Sequence, residues 1–322
     1  AVYEPNYSYE DEVVSKLFKE KDFRKALSLG INRNAINEKI LFGQGRPGDV
    51  TVLPSTKWYD GKYESMNAYY NVEEAKELLD GLGVVDSDGD GWREDPDGND
   101  ISWVIEHQNG ETPLGPVTEM VVDNWKEIGL NVSRKLTDPS LAGTRLGTNK
   151  MAMWVWHGDG RDALVFPTFI TRALAPGFVG QSWKVWDDSN GNSGEKPPAE
   201  VIEMYNTHTE MTAATEEEQI ISLGKEYLEM SAENVWTIGT VNGVPQPFVI
   251  TNDLKNFPTA KDFPGEGNPT YLHALFWTNP YEPSQFYFDG REDVNYSDSK
   301  LPVLYRDLEK DPIDLAQENE WL

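Results

Sequence analysis

The chain has 322 residues, with 28 basic against 55 acidic side chains and a formal net charge of −27. Such a surface repels nucleic acid, whose binding needs Lys and Arg to neutralise phosphate, and disfavours anionic membranes, while it favours solubility and cations. The 11 Trp, 14 Tyr and 12 Phe exclude an acidic disordered chain, and the lack of cysteine excludes disulfides, thiolate metal sites and cysteine nucleophiles.

Residues 1–10 carry neither the basic start nor the apolar stretch of a signal peptide, and Tyr3, Tyr7 and Tyr9 lie in a polar opening. No apolar run reaches the roughly 18–20 residues that span a bilayer. From about Asp22, Phe23, Leu27, Ile31, Ile36 and Ile40 recur at helical spacing, and Asn32-Arg33-Asn34 marks a junction between two helices. A Gly/Pro-rich loop follows. Asn71 is placed to cap a helix over Val72 to Leu82, closed by Gly83. Ile101, Trp103 and Ile105 alternate as in a half-buried strand, and Pro116 to Ile128 reads as a helix closed by Gly129. Asn131-Val132-Ser133 begins a short strand, and Met151 to Trp156 is an apolar strand stopping at His157-Gly158-Asp159-Gly160. Trp183 to Pro198 reads as irregular. Helical spacing returns over Ala199 to Ser231, with Thr215-Glu216-Glu217-Glu218 as a capping box. Val235 to Ile250 is strand-like, and the residues after about Gly290 are polar and peripheral. Helices alternating with strands predict an α/β architecture.

The tract from Asp86 to Asp97 has the outline of a calcium loop. Counting Asp86 as the first position, Asp86, Asp88 and Asp90 fall at alternate positions, and Gly91 sits where the loop turns sharply. Trp92, through its backbone carbonyl, Glu94 and Asp97 occupy the remaining ligand positions, although Asp97 is shorter than the Glu usual at the twelfth. Its flanks read as a helix and a strand, so the ion would be structural; a plain Asp/Gly turn is the alternative. The four histidines, His107, His157, His208 and His273, have no metal-ligand spacing. There is no phosphate-binding Gly-rich loop and no G-x-S-x-G nucleophile elbow.

Three stretches together resemble one family, the extracellular solute-binding proteins of family 5, which serve peptide-type ABC importers. The first is Asp22-Phe23-Arg24-Lys25-Ala26-Leu27-Ser28-Leu29-Gly30-Ile31-Asn32-Arg33-Asn34-Ala35-Ile36 with Gly43-Gln44-Gly45. The second is Tyr70 to Leu79 with Gly83 and Asp86-Ser87-Asp88-Gly89-Asp90-Gly91, and the third is Trp125-Lys126-Glu127-Ile128-Gly129-Leu130-Asn131-Val132. The resemblance spans roughly residues 15 to 260. It implies a periplasmic-binding-protein type II-like C-terminal lobe, a mixed sheet flanked by helices, from a longer chain whose N-terminal lobe and signal peptide lie upstream. On that expectation residues 1–235 form the second ligand-binding lobe, residues 236–290 return towards the first lobe, and residues 291–322 are a peripheral tail.

The resemblance also implies a function: capture of an oligopeptide by hinge closure, outside the cell, periplasmic or lipid-anchored at its surface, for the permease subunits of an ABC importer. Peptide-binding members carry a W-x-x-D loop whose aspartate receives the peptide's α-ammonium group, and Trp156 and Asp159 match it. Here Asp162 is followed by Ala163 rather than the family's Pro. Trp154, Trp183, Trp186 and Trp236 join Trp156 as aromatic candidates, because an indole face stacks on a sugar ring or an aromatic peptide side chain. Each is equally suited to a core, where most Trp is well buried. A β-linked oligosaccharide is the alternative ligand. From another class, a glycoside hydrolase would need two carboxylates across a cleft, and Asp159 with Asp162 is an example of such a pair.

Overall fold

The alternation of buried and exposed side chains selects the strands, and helical spacing selects the elements that cover them. The computed structural model of the protein describes residues 1–52, 54, 57–108, 113–156, 181–244, 251–255 and 287–289. In chain order the first elements are β1 (Val2–Pro5), α1 (Glu12–Lys19), α2 (Lys21–Leu29), α3 (Arg33–Ile40), β2 (Arg46–Pro47), α4 (Gly61–Ser65) and α5 (Val72–Gly81). Then come β3 (Ser102–His107), α6 (Leu114–Glu127), β4 (Asn131–Leu136), α7 (Pro139–Gly147) and β5 (Met153–Trp156). After these follow α8 (Gln181–Asp188), α9 (Ala199–Ala213), α10 (Glu217–Asn234), β6 (Ile238–Gly239) and β7 (Val241–Asn242).

The main sheet has the order β4-β3-β5-β1-β6. β3 pairs parallel with β4 and β5, and β1 pairs antiparallel with β5 and β6. This is the mixed sheet flanked by helices that the sequence predicts. One face carries Tyr3, Trp103, Ile105, Met153 and Val155, all buried. Against it pack Phe18 of α1, Phe23 of α2 and Trp125 of α6, whose rings meet Trp103 and Tyr3 at centroid distances of 5.5 to 6.2 Å. The Trp125 indole N–H donates to the Leu27 carbonyl at 2.8 Å, so α6 is tied to α2 as well as packed on it.

Two buried arginines join the helices to the last strands. Arg24 donates to the carbonyls of Phe18, Lys19 and Asn234, and its guanidinium lies 4.0 Å from the Trp236 ring. Arg33 donates from Nε to the Gly239 carbonyl at 3.0 Å, and Asp49 accepts from the Gly239 N–H at 2.5 Å. Burial pushes the Arg33 guanidinium down to about 10. A Cβ at Gly239 would run into the backbone of Asp49 and Val50, so only glycine fits there.

Asn32 and Asn71 cap their helices as expected, accepting from the N–H groups of Ala35 and Glu74 at 3.0 and 3.1 Å. Gly83 and Gly129 close α5 and α6 with φ of 74° and 86°. Three expectations are corrected. The polar opening holds β1 and α1: Asp11 caps α1, accepting from Val13 and Val14, while Tyr3 and Tyr7 are fully buried. The segment read as irregular begins with α8, whose Trp183 is wholly buried, and only residues 189–198 are loop. The capping box does not form: α10 starts after Glu216, with no side-chain cap, and Thr215 is exposed.

Residues 1–244 fall within one compact unit. The described part of a second unit is the antiparallel pair β8 (Leu254–Lys255) and β9 (Tyr287–Phe288). Among the described residues, no helix is long and apolar enough to cross a membrane.

Candidate functional site

In open α/β sheets, ligands gather at the carboxyl ends of parallel strands, where backbone groups and loop side chains are left unpaired. Here that rim is formed by the ends of β3 and β5. The register sets Glu4 of β1 and Glu106 of β3 on either side of Trp154, so all three share one row on the face away from the aromatic core. Trp156, two residues on, projects from the same face, and the two indoles stack with centroids 5.6 Å apart and planes 25° from parallel. Trp154 is buried and Trp156 half-buried.

Glu106 is buried, and both of its oxygens are engaged. Arg145 of α7 donates from Nε to Oε1 at 2.7 Å, and Thr137 donates to Oε2 at 2.8 Å. Asp138 caps α7 by accepting from Ser140 and Leu141, which aims the helix so that Arg145 reaches the sheet. His107 follows Glu106 on the opposite face, with its ring against Gly115 in the first turn of α6 and Nε2 3.3 Å from Arg134. Burial holds its imidazole below the ordinary value, and the Arg134 charge adds to that effect.

Of the aromatic candidates, Trp154 and Trp156 are the two that the structure brings together at this rim. Trp183 is sealed in a cluster, stacked on Tyr7 at 5.0 Å and edge-on to Trp236 at 6.1 Å. Trp186 is half-buried, with Gly191 of the following loop lying against its indole. Asp159 and Asp162 lie outside the described residues. Glu106, Thr137 and Arg145 were missed from sequence, because 39 residues separate the ion-paired side chains. The available signal was Glu106 near the end of a strand that its alternation predicts.

The acidic loop forms a second site. Asp86, Asp88, Asp90 and Glu94 bring one carboxylate oxygen each within 4.8 Å of one another. Backbone N–H groups fix the shape: Asp86 accepts from Gly89 and Gly91, Asp88 from Asp90, and Asp90 from Trp92. Gly89 and Gly91 take φ of 84° and 98°, a region that suits glycine. Four hard oxygen donors fit a calcium-type cation. Asp97 is corrected: it is not in this group. Antiparallel bridges from Glu94 to Val85 and Asp100 close the loop early, and the Asp97 N–H bonds to Asp95 in the next turn. Trp92 contributes its N–H to the loop's framework.

A mixed α/β lobe with its strand ends and an indole pair at one rim has the architecture of a periplasmic-binding-protein lobe. Residues 2–174 match the model of the bacterial extracellular solute-binding proteins, family 5 middle region, and the chain belongs to that family. Its members are substrate-binding components of transport systems and not enzymes, so the glycoside hydrolase alternative is set aside. The chain is 27% identical over 124 residues to the oligopeptide-binding protein AppA of Bacillus subtilis, covering 38% of this chain and 23% of that one. It is 24% identical over 259 residues to the periplasmic alpha-galactoside-binding protein of Rhizobium meliloti, covering 77% of this chain and 36% of that one. Among solved structures it is similar to an oligopeptide-binding protein OppA, with 27% identity and a TM-score of 0.65 over 74% of this chain and 40% of that one. The chain thus spans less than half the length of these relatives.

Proposed function

We propose that this chain is the second lobe of a binding protein that captures an oligopeptide outside the cell and hands it to the permease subunits of an ABC importer. The observation that carries the reading is the shared end of β3 and β5, with its stacked Trp154 and Trp156 and the Asp159 that follows in sequence. A carboxylate leaving a strand end beside indole faces is suited to pair with a peptide's α-ammonium group in a partly dry cleft. Capture is by closure against a first lobe, the ligand shifting the population towards the closed form. In this reading residues 1–235 are the gripping lobe, residues 236–290 return to the first lobe, and residues 291–322 are peripheral. Trp183 and Trp186 act through packing. The protein works in the periplasm or lipid-anchored at the cell surface.

Calorimetry on the two-lobed protein tests the amine capture. Asp159→Asn is expected to weaken a free-amine peptide far more than its N-acetylated form, and equal losses would overturn the assignment.

A β-linked oligosaccharide is the second reading, favoured by the stacked indoles of Trp154 and Trp156 at the rim. Aromatic faces take the apolar side of a sugar ring. Thermal-shift screens against peptide and glycan libraries separate the two, since a bound ligand raises Tm by mass action.

For the acidic loop we propose a structural calcium held by Asp86, Asp88, Asp90 and Glu94. Calcium at about 100 times its Kd is expected to add about 2.7 kcal/mol of stability. That gain should vanish with a chelator and in Asp88→Asn; a Tm indifferent to calcium would exclude the site.

A further inference from the structure

Both oxygens of the Glu106 carboxylate are held by side chains from the segment between β4 and β5. Arg145 Nε donates to Oε1 at 2.7 Å, and the Thr137 hydroxyl donates to Oε2 at 2.8 Å. The same guanidinium donates from Nη2 to the Lys150 carbonyl at 2.6 Å, shortly before β5 begins at Met153. Arg145 therefore ties α7 to β3 and to the entry of β5 at once. Glu106 is only 3% exposed and Thr137 only 4%. A carboxylate buried so deeply keeps its place only while its donors do, since an unmade bond leaves its desolvation cost uncompensated. Packing alone would fix the volume at this position; charge-assisted bonds fix direction as well.

The register places Trp154 beside Glu106 in the adjacent strand, with Glu4 on its other flank. Neighbouring strands lie about 4.8 Å apart, so an indole in this row turns only as far as its neighbours allow. Trp154 in turn supports Trp156, the half-buried member of the stack, at a centroid distance of 5.6 Å. We infer that Glu106, Thr137 and Arg145 are positioning residues: they fix the rotamer of Trp154 and, through it, the angle at which Trp156 stands at the rim. None of the three needs to touch a solute to do this. Their contribution to binding rests on the proposed reading of this rim as a ligand wall.

Stacked indoles couple their electronic transitions, and the far-ultraviolet circular dichroism couplet that results follows their mutual angle. In the 322-residue chain, the difference between the parent and Trp156→Phe isolates the couplet of this pair from the other indoles. Thr137→Val, which keeps the shape and removes the hydroxyl, is expected to lose the larger part of it, as is Arg145→Ala. Thr137→Ser and Arg145→Lys, which keep a donor, are expected to retain most of it. A couplet unchanged in either Thr137→Val or Arg145→Ala, whatever happens to Tm, would assign these bonds to stability alone and overturn the inference. Losses that the conservative variants fail to reverse would overturn it equally, as would a Trp156→Phe difference with no couplet. In the two-lobed protein, Thr137→Val is expected to weaken binding of a free-amine tetraalanine peptide about 3–10-fold by calorimetry, with Thr137→Ser close to the parent. An unchanged Kd beside a lost couplet would mean that the indole angle does not serve binding, and the positioning role would fall. A parent that binds no peptide would instead unseat the oligopeptide reading, and the couplet, which needs no ligand, would still decide the positioning.

Discussion

His208 shows how a single buried group makes stability depend on pH. Burial alone holds its imidazole below the ordinary value of 6.5. The unfolded chain therefore binds the proton first, so stability is fullest above pH 6.5 and is lost as pH falls below it. His107 acts in the same direction. Tm is expected to decline between pH 7.5 and 5, and His208→Gln, which cannot charge, should decline less steeply. Parallel slopes in the parent and the variant would place the titration elsewhere. At this scale the candidate site was half legible. Trp154 and Trp156 stand out because a strand carrying them ends in a polar loop. Glu106 and Arg145 do not, because a charge pair formed across the fold leaves no local trace in either segment.

Among the elements, caps separate what the letters suggest from what the backbone uses. Asn71 accepts from the Glu74 N–H at 3.1 Å, whereas Thr215 sits before a helix that begins without a side-chain cap. Asn71→Ala is expected to cost about 1 kcal/mol. Thr215→Ala should stay within about 0.5 kcal/mol, as exposed positions without partners do. Denaturant unfolding of the two variants checks the contrast, and equal costs would mean that Thr215 caps in solution. The long periodic helices α5 and α6 and the alternating strand β3 were read from sequence because each repeats its pattern several times. β1 and α1 were not. Four residues of strand and eight of helix give periodicity little room, and the Tyr side chains that look polar in sequence fill the core through tertiary packing. α8 was hidden in the same way by the Gly/Asn-rich loop that follows it.

For the whole molecule, a net charge of −27 sets carboxylates against one another across the surface. Self-repulsion opposes the compact state, and salt screens it beyond about 10 Å at 0.1 M ionic strength. Tm is therefore expected to rise by several degrees between low salt and about 0.5 M NaCl; a flat response would mean that the surface charges are already balanced locally. Fold class was legible because alternation of helix and strand is a property of the entire chain. Strand order was not, since β1 pairs with β5 across more than 140 residues and periodicity carries no record of such pairings. Gly239 lies at the far edge of that sheet, its amide taken by Asp49 and its carbonyl by Arg33. A residue held through both of its backbone polar groups has no slack to lend. Turning this residue would break one bond or the other, so bending of the strand falls to the residues on either side of Gly239.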